Sequence, residues 1–257
     1  QNFERELFEH LLDDRQQAVA ELGVKALIPL DRPFLDYVLS ALADAGYRRA
    51  CLVVAPDHDA IRDYYLRQSP PRRIGVDFAV QPEPRGTADA VAAAEPFAGG
   101  DPFLMINSDN YYPVEAMRQL RGQDGCATAL FELESLLAGS NIAPQRLRQF
   151  AVGEFDDRGF LRRVLEKPDE ATLASLPRPL WVSMNCWRFG PSIFDACRKI
   201  RPSPRGELEV PDAVQYAIDV LKEPFRVVKV RAPVLDMTSR SDIAPVAAKL
   251  SGVKVNP

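Results

Sequence analysis

The chain has 257 residues and a formal net charge of −4, from 32 lysines and arginines against 36 aspartates and glutamates. A domain that grips nucleic acid through its phosphates is expected to be basic, with a pI above about 9, so nucleic-acid binding is not predicted as the main task. At this length and with 46% hydrophobic residues, the chain can bury a core without disulfides or a structural metal.

The cysteine and histidine content narrows the chemistry further. Four cysteines are present and none forms a C-x-x-C pair: Cys51, Cys126, Cys186 and Cys197. This spacing favours free thiols in a reducing cytoplasm over a disulfide framework. Two histidines are too few for a histidine-based zinc site, and no apolar run approaches the roughly 18 residues that cross a bilayer. The sequence therefore predicts a cytoplasmic protein without membrane attachment.

Helices and strands alternate along the first half of the chain. Apolar residues at helical spacing predict helices over residues 3–22, 33–45, 57–66 and 88–97. Continuous apolar runs predict buried strands over residues 51–54, 74–80 and 103–106. This alternation indicates βαβ units and a parallel sheet with helices on both faces. We therefore expect residues 1–122 to form a nucleotide-binding half of a single domain.

The pattern changes after Gly122. Two runs, 150–155 and 160–165, are joined by the turn-forming residues 156–159, which is typical of a β-hairpin. Strands are predicted over residues 181–189 and 225–230, and helices from 191, over 211–221 and over 239–250. We expect residues 123–257 to form a smaller, hairpin-containing half that supplies the second substrate.

Ligands of open parallel sheets bind beyond the carboxyl ends of the strands. The loop after the predicted strand 74–80 runs from Gln81 through Pro84, Gly86 and Thr87 into a helix. Prolines stiffen this loop, Gly86 permits close backbone approach, and Thr87 or its neighbour can start the helix. The Gln81 amide suits the edge of a base such as uracil. The alternative interpretation is a plain proline-rich turn with a helix cap.

Acidic residues follow other apolar segments. Asp109 comes after the strand 103–106 and Asp236 follows Val234–Leu235. Carboxylates at such positions can hold Mg²⁺ against substrate phosphates, although an Asx turn at Asp109 and a helix N-terminus near Asp236 are the alternatives. Glu166 and Lys167 end another strand before Pro168, where an acid can bind sugar hydroxyls and an ammonium a phosphate. A solvated ion pair is the simpler explanation for an isolated E-K-P.

Taken in order, these segments resemble the sugar-1-phosphate nucleotidylyltransferases, also called NDP-sugar pyrophosphorylases. The resemblance covers residues 25 to about 250. Its segments are Lys25–Leu30 with Arg32–Val38, Gln81–Val91, Phe103–Asp109, Glu166–Pro168, Met184–Asn185, Gly206–Glu207 and Leu235–Thr238. Each is a common short string, but their shared order is specific.

The resemblance implies an α/β fold with a Rossmann-like, GT-A-like, mixed and mainly parallel sheet, helices on both faces and a smaller sugar-binding hairpin layer. It also implies a role for each matched residue. Catalytic roles fall to Lys25, Asp109 and Lys167, nucleotide binding to Gln81, Pro84, Gly86 and Thr87, sugar binding to Glu166, Asn185 and Glu207, and Mg²⁺ binding to Asp109 and Asp236.

Two departures from the family pattern stand out. The family opens with a strand and a G-x-G-T-R-type loop, and no G-x-G occurs here. Because that strand would be central, flanking strands would lose hydrogen-bonding partners without it, and we expect residues before Gln1 in the natural protein. The second departure is Ala151, which follows Gln149–Phe150 where the family often has an aromatic-glycine pair at the sugar pocket.

The expected reaction joins a sugar 1-phosphate to a nucleoside triphosphate, with UTP or dTTP favoured by Gln81, and releases pyrophosphate. A phosphate monoester is largely dianionic at pH 7, so the attacking oxygen needs no general base. A glycosyltransferase that uses a nucleotide sugar and a non-catalytic, nucleotide-binding regulatory subunit are the alternatives. A homo-oligomer is compatible with the sequence.

Overall fold

A computed structural model describes residues 30–147 and 150–257. The predicted helix over 3–22, the phosphate-binding candidate Lys25 and the pocket residue Gln149 lie outside these ranges. No helix in the described ranges is long and apolar enough to cross a membrane.

The first described elements form a βαβ unit, as predicted. In chain order they are α1 (Phe34–Asp44), β1 (Arg49–Val54), α2 (Asp59–Asp63), a π-helical turn (Tyr64–Gln68) and β2 (Gly75–Val80). Strands β1 and β2 pair in parallel, from Arg49 opposite Gly75 to Val54 opposite Val80. The buried carboxylate of Asp36 in α1 accepts hydrogen bonds from the Tyr64 and Tyr65 hydroxyls at 3.2 and 2.9 Å, which tie α1 to the crossover.

The predicted helix over 88–97 is two short helices. The next elements are α3 (Thr87–Ala93), α4 (Glu95–Ala98), β3 (Phe103–Met105), β4 (Asn110–Tyr111) and α5 (Val114–Arg121). The break at Ala94 has a local cause: Pro96 stands at the start of α4, and a proline there has no N–H to continue the α3 hydrogen-bond ladder.

Residues 123–147, where the sequence predicts no element, are largely regular. They contain β5 (Cys126–Glu132), α6 (Leu133–Gly139) and α7 (Pro144–Leu147). The hairpin is confirmed as β6 (Val152–Phe155) and β7 (Leu161–Leu165). After it come α8 (Glu170–Ser175), β8 (Trp181–Phe189), α9 (Ser192–Lys199), α10 (Val210–Asp219), β9 (Phe225–Val230), β10 (Leu235–Asp236), a 3₁₀ turn (Arg240–Asp242) and α11 (Ile243–Leu250).

The main sheet has six strands in the order β7-β6-β8-β5-β9, with β3 on another part of β8. The mixed α/β fold is as expected, but the share of parallel pairs is lower. Within the described ranges β1–β2 and β5–β9 are parallel, whereas β3–β8, β5–β8, β6–β7, β6–β8 and β4–β10 are antiparallel. The reason is that β8 runs against its three neighbours, and a hairpin forms the outer edge.

The two halves of the chain share one core. Helix α1 and strand β1 pack in one apolar cluster with residues of β5, β8 and β9, and a second cluster surrounds Trp187 of β8. Strand β8 therefore connects the hairpin to the first half through its pairing with β3.

Strands β1 and β3 face each other across an apolar cleft of about 1110 Å³, which residues 49–54 and 103–109 line together with one side of α1 and of α3. In the described ranges no strand pairs with β1 on this side or joins it to β3. Leu52 of β1 and Leu104 of β3 are both half-buried.

Candidate active site

The side chain of Gln81 is held in one orientation at the carboxyl end of β2. Its Nε2 donates to the Gly86 carbonyl at 3.0 Å and to Asp89 Oδ2 at 2.9 Å. Both partners only accept hydrogen bonds, so the amide must turn its nitrogen toward them. The Arg85 guanidinium lies 3.8 Å from the other Asp89 oxygen. The acceptor Oε1 is therefore the half of the amide that remains for a ligand.

Gly86 makes the close approach that the sequence predicts, but to protein backbone. It has φ +115°, and a Cβ there would lie 2.4 Å from the Leu208 carbonyl oxygen. Leu208 N–H donates to the Arg85 carbonyl at 2.8 Å, and Ala88 N–H donates to the Leu208 carbonyl at 2.9 Å. The loop after β2 is thus fastened to the segment that precedes α10.

Thr87 begins α3, as predicted, but its side chain does not cap that helix. Its hydroxyl accepts a hydrogen bond from the Val210 N–H at 3.0 Å. It thereby provides a partner for a backbone N–H at the start of α10, which has no acceptor within that helix. Pro84 and Glu207 are both exposed near this junction. The nucleotide-binding candidates therefore lie beside the predicted sugar-binding residue Glu207.

The loop Asn107–Asp109 joins β3 to β4, and β4 pairs with β10 so that Asp236 lies opposite Asn110. The Asp109 carbonyl accepts the Met237 N–H at 2.8 Å. Thr238 contacts both acids: its N–H donates to Asp236 Oδ1 at 2.8 Å and its hydroxyl makes a long, 3.5 Å hydrogen bond to Asp109 Oδ2. Two carboxylates that are 127 positions apart in the chain thus converge on one residue.

Arg146 of α7 also reaches Asp236. Its Nη2 lies 3.1 Å from Oδ2 and 3.3 Å from Oδ1 of that carboxylate. The Asp236 side chain is only 5% exposed. In the described ranges no group of three or more histidine, cysteine or acidic side chains is arranged to hold a metal.

A buried tyrosine connects the Asp109 loop to strand β8. The Tyr112 hydroxyl donates to the Met184 carbonyl at 2.6 Å. Complete burial raises the pKa of Tyr112 well above its usual value, which keeps the hydroxyl protonated as a donor. The next residue, Asn185, has φ +53° and accepts the Trp187 indole N–H at 3.3 Å. The predicted sugar ligand therefore sits one residue from a strand position tied to the acid loop.

Glu166, Lys167 and Asn185 lie toward one edge of the hairpin layer. Val152 of β6 pairs with Leu165 of β7 on one side and Val182 of β8 on the other. Both partners run antiparallel to β6, so the end of β7 and the later part of β8 extend in the same direction. Ala151 is buried at this edge and its carbonyl accepts the Ser183 N–H at 2.8 Å.

The electrostatic environment of Glu166 is mixed. Lost hydration, and secondly the charge of Glu209, raise the pKa of Glu166, while Arg205 opposes the rise. Lys167 has φ +42°, a conformation that lysine rarely adopts. Strained backbone of this kind concentrates at functional sites, and here two residues predicted to bind the sugar phosphate and the sugar, Lys167 and Asn185, both have it.

Several residues of the site were not predicted. Asp89 fixes Gln81, Thr238 joins the two acids, and Arg146 and Asn141 contact Asp236. Thr238 belongs to the matched segment Leu235–Thr238, although no role was predicted for it. Nothing in the sequence pointed to Asn141 or Arg146 as site residues, because neither lies in a predicted helix, strand or motif.

Comparison with known proteins identifies the family. Residues 20–230 match the model of the nucleotidyl transferase family. The chain is 29% identical over 215 residues to the low-salt glycan biosynthesis nucleotidyltransferase Agl11 of Haloferax volcanii, which covers 80% of this chain and 56% of that protein. It is 28% identical over 200 residues to a glucose-1-phosphate thymidylyltransferase of Xanthomonas campestris, covering 76% and 62%.

The chain thus spans 56% and 62% of the length of these two relatives. A solved UDP-glucose pyrophosphorylase in complex with UDP-glucose superposes with a TM-score of 0.70 over 90% of this chain and 91% of that chain. At 17% identity, this likeness shows a common fold. On the match over residues 20–230, the chain belongs to the nucleotidyl transferase family.

Proposed function

We propose that this protein joins a sugar 1-phosphate to a nucleoside triphosphate, yielding an NDP-sugar and pyrophosphate. The observation that carries the proposal is the convergence of Asp109 and Asp236 on Thr238. In this proposal the Gln81 loop binds the base, and Glu166 and Asn185 bind the sugar. The named relatives act on glucose 1-phosphate or in glycan biosynthesis, which supports the same class of reaction.

The chemistry of the acid pair suits Mg²⁺. This ion is usually held by one or two carboxylates, with waters and substrate phosphates completing its shell, and Asp109 and Asp236 provide two such groups. When bound, Mg²⁺ supplies positive charge that offsets the repulsion between the two phosphates. Asp109 and Asp236 would hold it, and Thr238 fixes Asp236 by its N–H.

The remaining residues position and neutralise the substrates. The attacking sugar-phosphate oxygen is already ionised at pH 7, because the second pKa of a phosphate monoester is about 6. The chain therefore needs no general base, and His58 has no assigned role. Lys167 pairs with the sugar phosphate, and Lys25 with the nucleotide phosphates. Rate enhancement comes from placing the two phosphates in line and from offsetting their charge.

The orientation of Gln81 supports a pyrimidine base with an N–H at position 3. Since Nε2 is engaged by Gly86 and Asp89, the side chain offers only an acceptor to the ligand. Uracil and thymine present an N3–H donor, whereas cytosine presents a bare acceptor at the same position. UTP and dTTP are therefore the proposed nucleotides, and glucose 1-phosphate, named for the relatives, is the first sugar phosphate to test. The four free thiols agree with a proposed cytoplasmic location.

The test is product analysis with the full chain. UTP, dTTP, CTP, ATP and GTP are each incubated with Mg²⁺ and a panel of hexose 1-phosphates, and pyrophosphate and nucleoside diphosphate are measured separately. Pyrophosphate equal to the NDP-sugar formed, with UTP or dTTP preferred, is expected. Release of nucleoside diphosphate from an NDP-sugar would instead support a glycosyltransferase, and nucleotide binding without turnover a regulatory subunit; either result contradicts the proposal.

A further inference from the structure

A single segment, Ser140–Leu147, wraps around the proposed metal ligand Asp236. Asn141 holds its backbone on both sides: Nδ2 donates to the Asp236 carbonyl at 2.7 Å, and Oδ1 accepts the Asp236 N–H at 2.9 Å. The same amide reaches Asp242 Oδ1 at 3.3 Å. The backbone of Asp236 is thus secured without any contribution from Arg146.

Arg146, from the end of the same segment, forms ion pairs with the carboxylate of Asp236 and with that of Asp242. Its Nη2 is shared between both Asp236 oxygens, and its Nη1 lies 4.0 Å from Asp242 Oδ2. The Asp236 side chain is 5% exposed, whereas that of Arg146 is 35% exposed. A carboxylate removed from water requires a compensating charge, and the partly exposed Arg146 guanidinium supplies one.

We propose that Arg146 is a positioning residue that balances the charge of Asp236 before the divalent cation binds and competes with that cation for the carboxylate. The inference rests on the proposed function, because it takes Asp236 as a metal ligand. The competition follows from geometry: the guanidinium bonds to both carboxylate oxygens, so any cation that ligates either oxygen must share or displace it. Arg146 thereby weakens metal binding to the free protein and holds the Asp236 carboxylate in one orientation.

The experiment measures Mn²⁺ binding to the full chain without nucleotide, by the electron paramagnetic resonance of free Mn²⁺, together with the thermal midpoint. Removing one positive charge a few ångströms from the site strengthens cation binding, and we expect about a tenfold lower Kd for Arg146→Gln. Without metal, the thermal unfolding midpoint of Arg146→Gln should lie below that of the wild type, because the Asp236 carboxylate has lost its ion-pair partner. Added Mn²⁺ should restore the midpoint. Arg231→Gln is the matched control. Arg231 Nε donates to Oε1 of the largely buried Glu132 at 2.9 Å, and neither residue belongs to this site. This variant should leave Mn²⁺ affinity unchanged.

Further variants separate the possible failures. Arg146→Lys keeps the charge and loses the two-oxygen contact, so it should fold even where Arg146→Gln does not, and bind Mn²⁺ more tightly than wild type. If Asp236→Asn binds Mn²⁺ like wild type, the proposed metal site itself is wrong. If Asp236→Asn abolishes binding but both Arg146 variants bind Mn²⁺ no more tightly than wild type, Arg146 is only structural and the inference is overturned.

Discussion

The backbone of Leu208 lies directly against Gly86, with no room for a side chain between them. Reciprocal hydrogen bonds at 2.8 and 2.9 Å fasten Leu208 to Arg85 and Ala88. This contact joins the loop proposed to read the base to the segment that carries Glu207. The two substrate surfaces are therefore joined by backbone hydrogen bonds, to which the Thr87 hydroxyl adds one from the Val210 N–H.

Gly86→Ala should be severely destabilising. The added Cβ meets the Leu208 carbonyl at 2.4 Å and the residue keeps φ +115°, so overpacking and backbone strain add to about 3 kcal/mol. Chemical denaturation measures the change. Gly125→Ala is the control, since Gly125 has φ +97° with open space around it and should cost only about 1 kcal/mol. Equal losses for the two variants would show that the Leu208 contact is unimportant.

Asp89→Asn should weaken base discrimination. An asparagine can donate as well as accept, so the Gln81 amide is free to turn and present Nε2 to the base. We expect the ratio of kcat/KM for UTP over CTP to fall about tenfold, which corresponds to about 1.4 kcal/mol. Asp77→Asn, which affects an exposed pair with Arg49, is the control. A ratio that stays at the wild-type value in Asp89→Asn would refute the orienting role of Asp89.

Asp109→Ala should abolish turnover while the protein remains folded. The side chain is half-buried in a loop, so its removal leaves the core intact, whereas loss of a metal ligand costs about 10³-fold or more in kcat. Pyrophosphate release and the thermal midpoint are measured together. Asp157→Ala, at the exposed tip of the hairpin, should change neither. Normal pyrophosphate release by Asp109→Ala would remove Asp109 from the mechanism.

Native thiol labelling should be confined to Cys51. Burial raises the pKa of Cys126 to about 11 and of Cys197 to about 12, and that of Cys186 further. The reactive thiolate is therefore scarce at pH 8, and these sulfurs are also inaccessible. Cys51 is half-buried in the cleft beside β3 and should react slowly. Mass spectrometry after iodoacetamide treatment, with and without denaturant, tests this; native labelling of Cys186 would contradict the packing around β8.

Elements with strong local patterns were predictable from the sequence. The apolar runs of β8 and β9 and the D-D-R-G turn of the hairpin each identify their own conformation without reference to distant residues. Strand β5 was not predicted, because C-A-T-A-L-F-E is rich in small residues and is buried on both faces, which leaves no alternation to detect.

Pairing was harder to foresee than the elements themselves. Strand β3 pairs with β8, about 80 positions further along the chain, and β4 with β10; such contacts depend on global packing rather than on local sequence. The same limit applies to the site. Asp109 and Asp236 were identifiable as acids after apolar segments, whereas the contact of Arg146 with Asp236 arises only when α7 folds back on β10.

One diffraction experiment tests most directly whether Asp109 and Asp236 bind the same metal ion. Crystals of the full chain grown with Mn²⁺ and a non-hydrolysable UTP analogue are measured at the manganese absorption edge. We predict an anomalous peak at about 2.1–2.3 Å from a carboxylate oxygen of each residue, the range typical of carboxylate ligands to such ions. A peak bonded to neither carboxylate, or to phosphate alone with both acids turned away, would contradict the proposed chemistry.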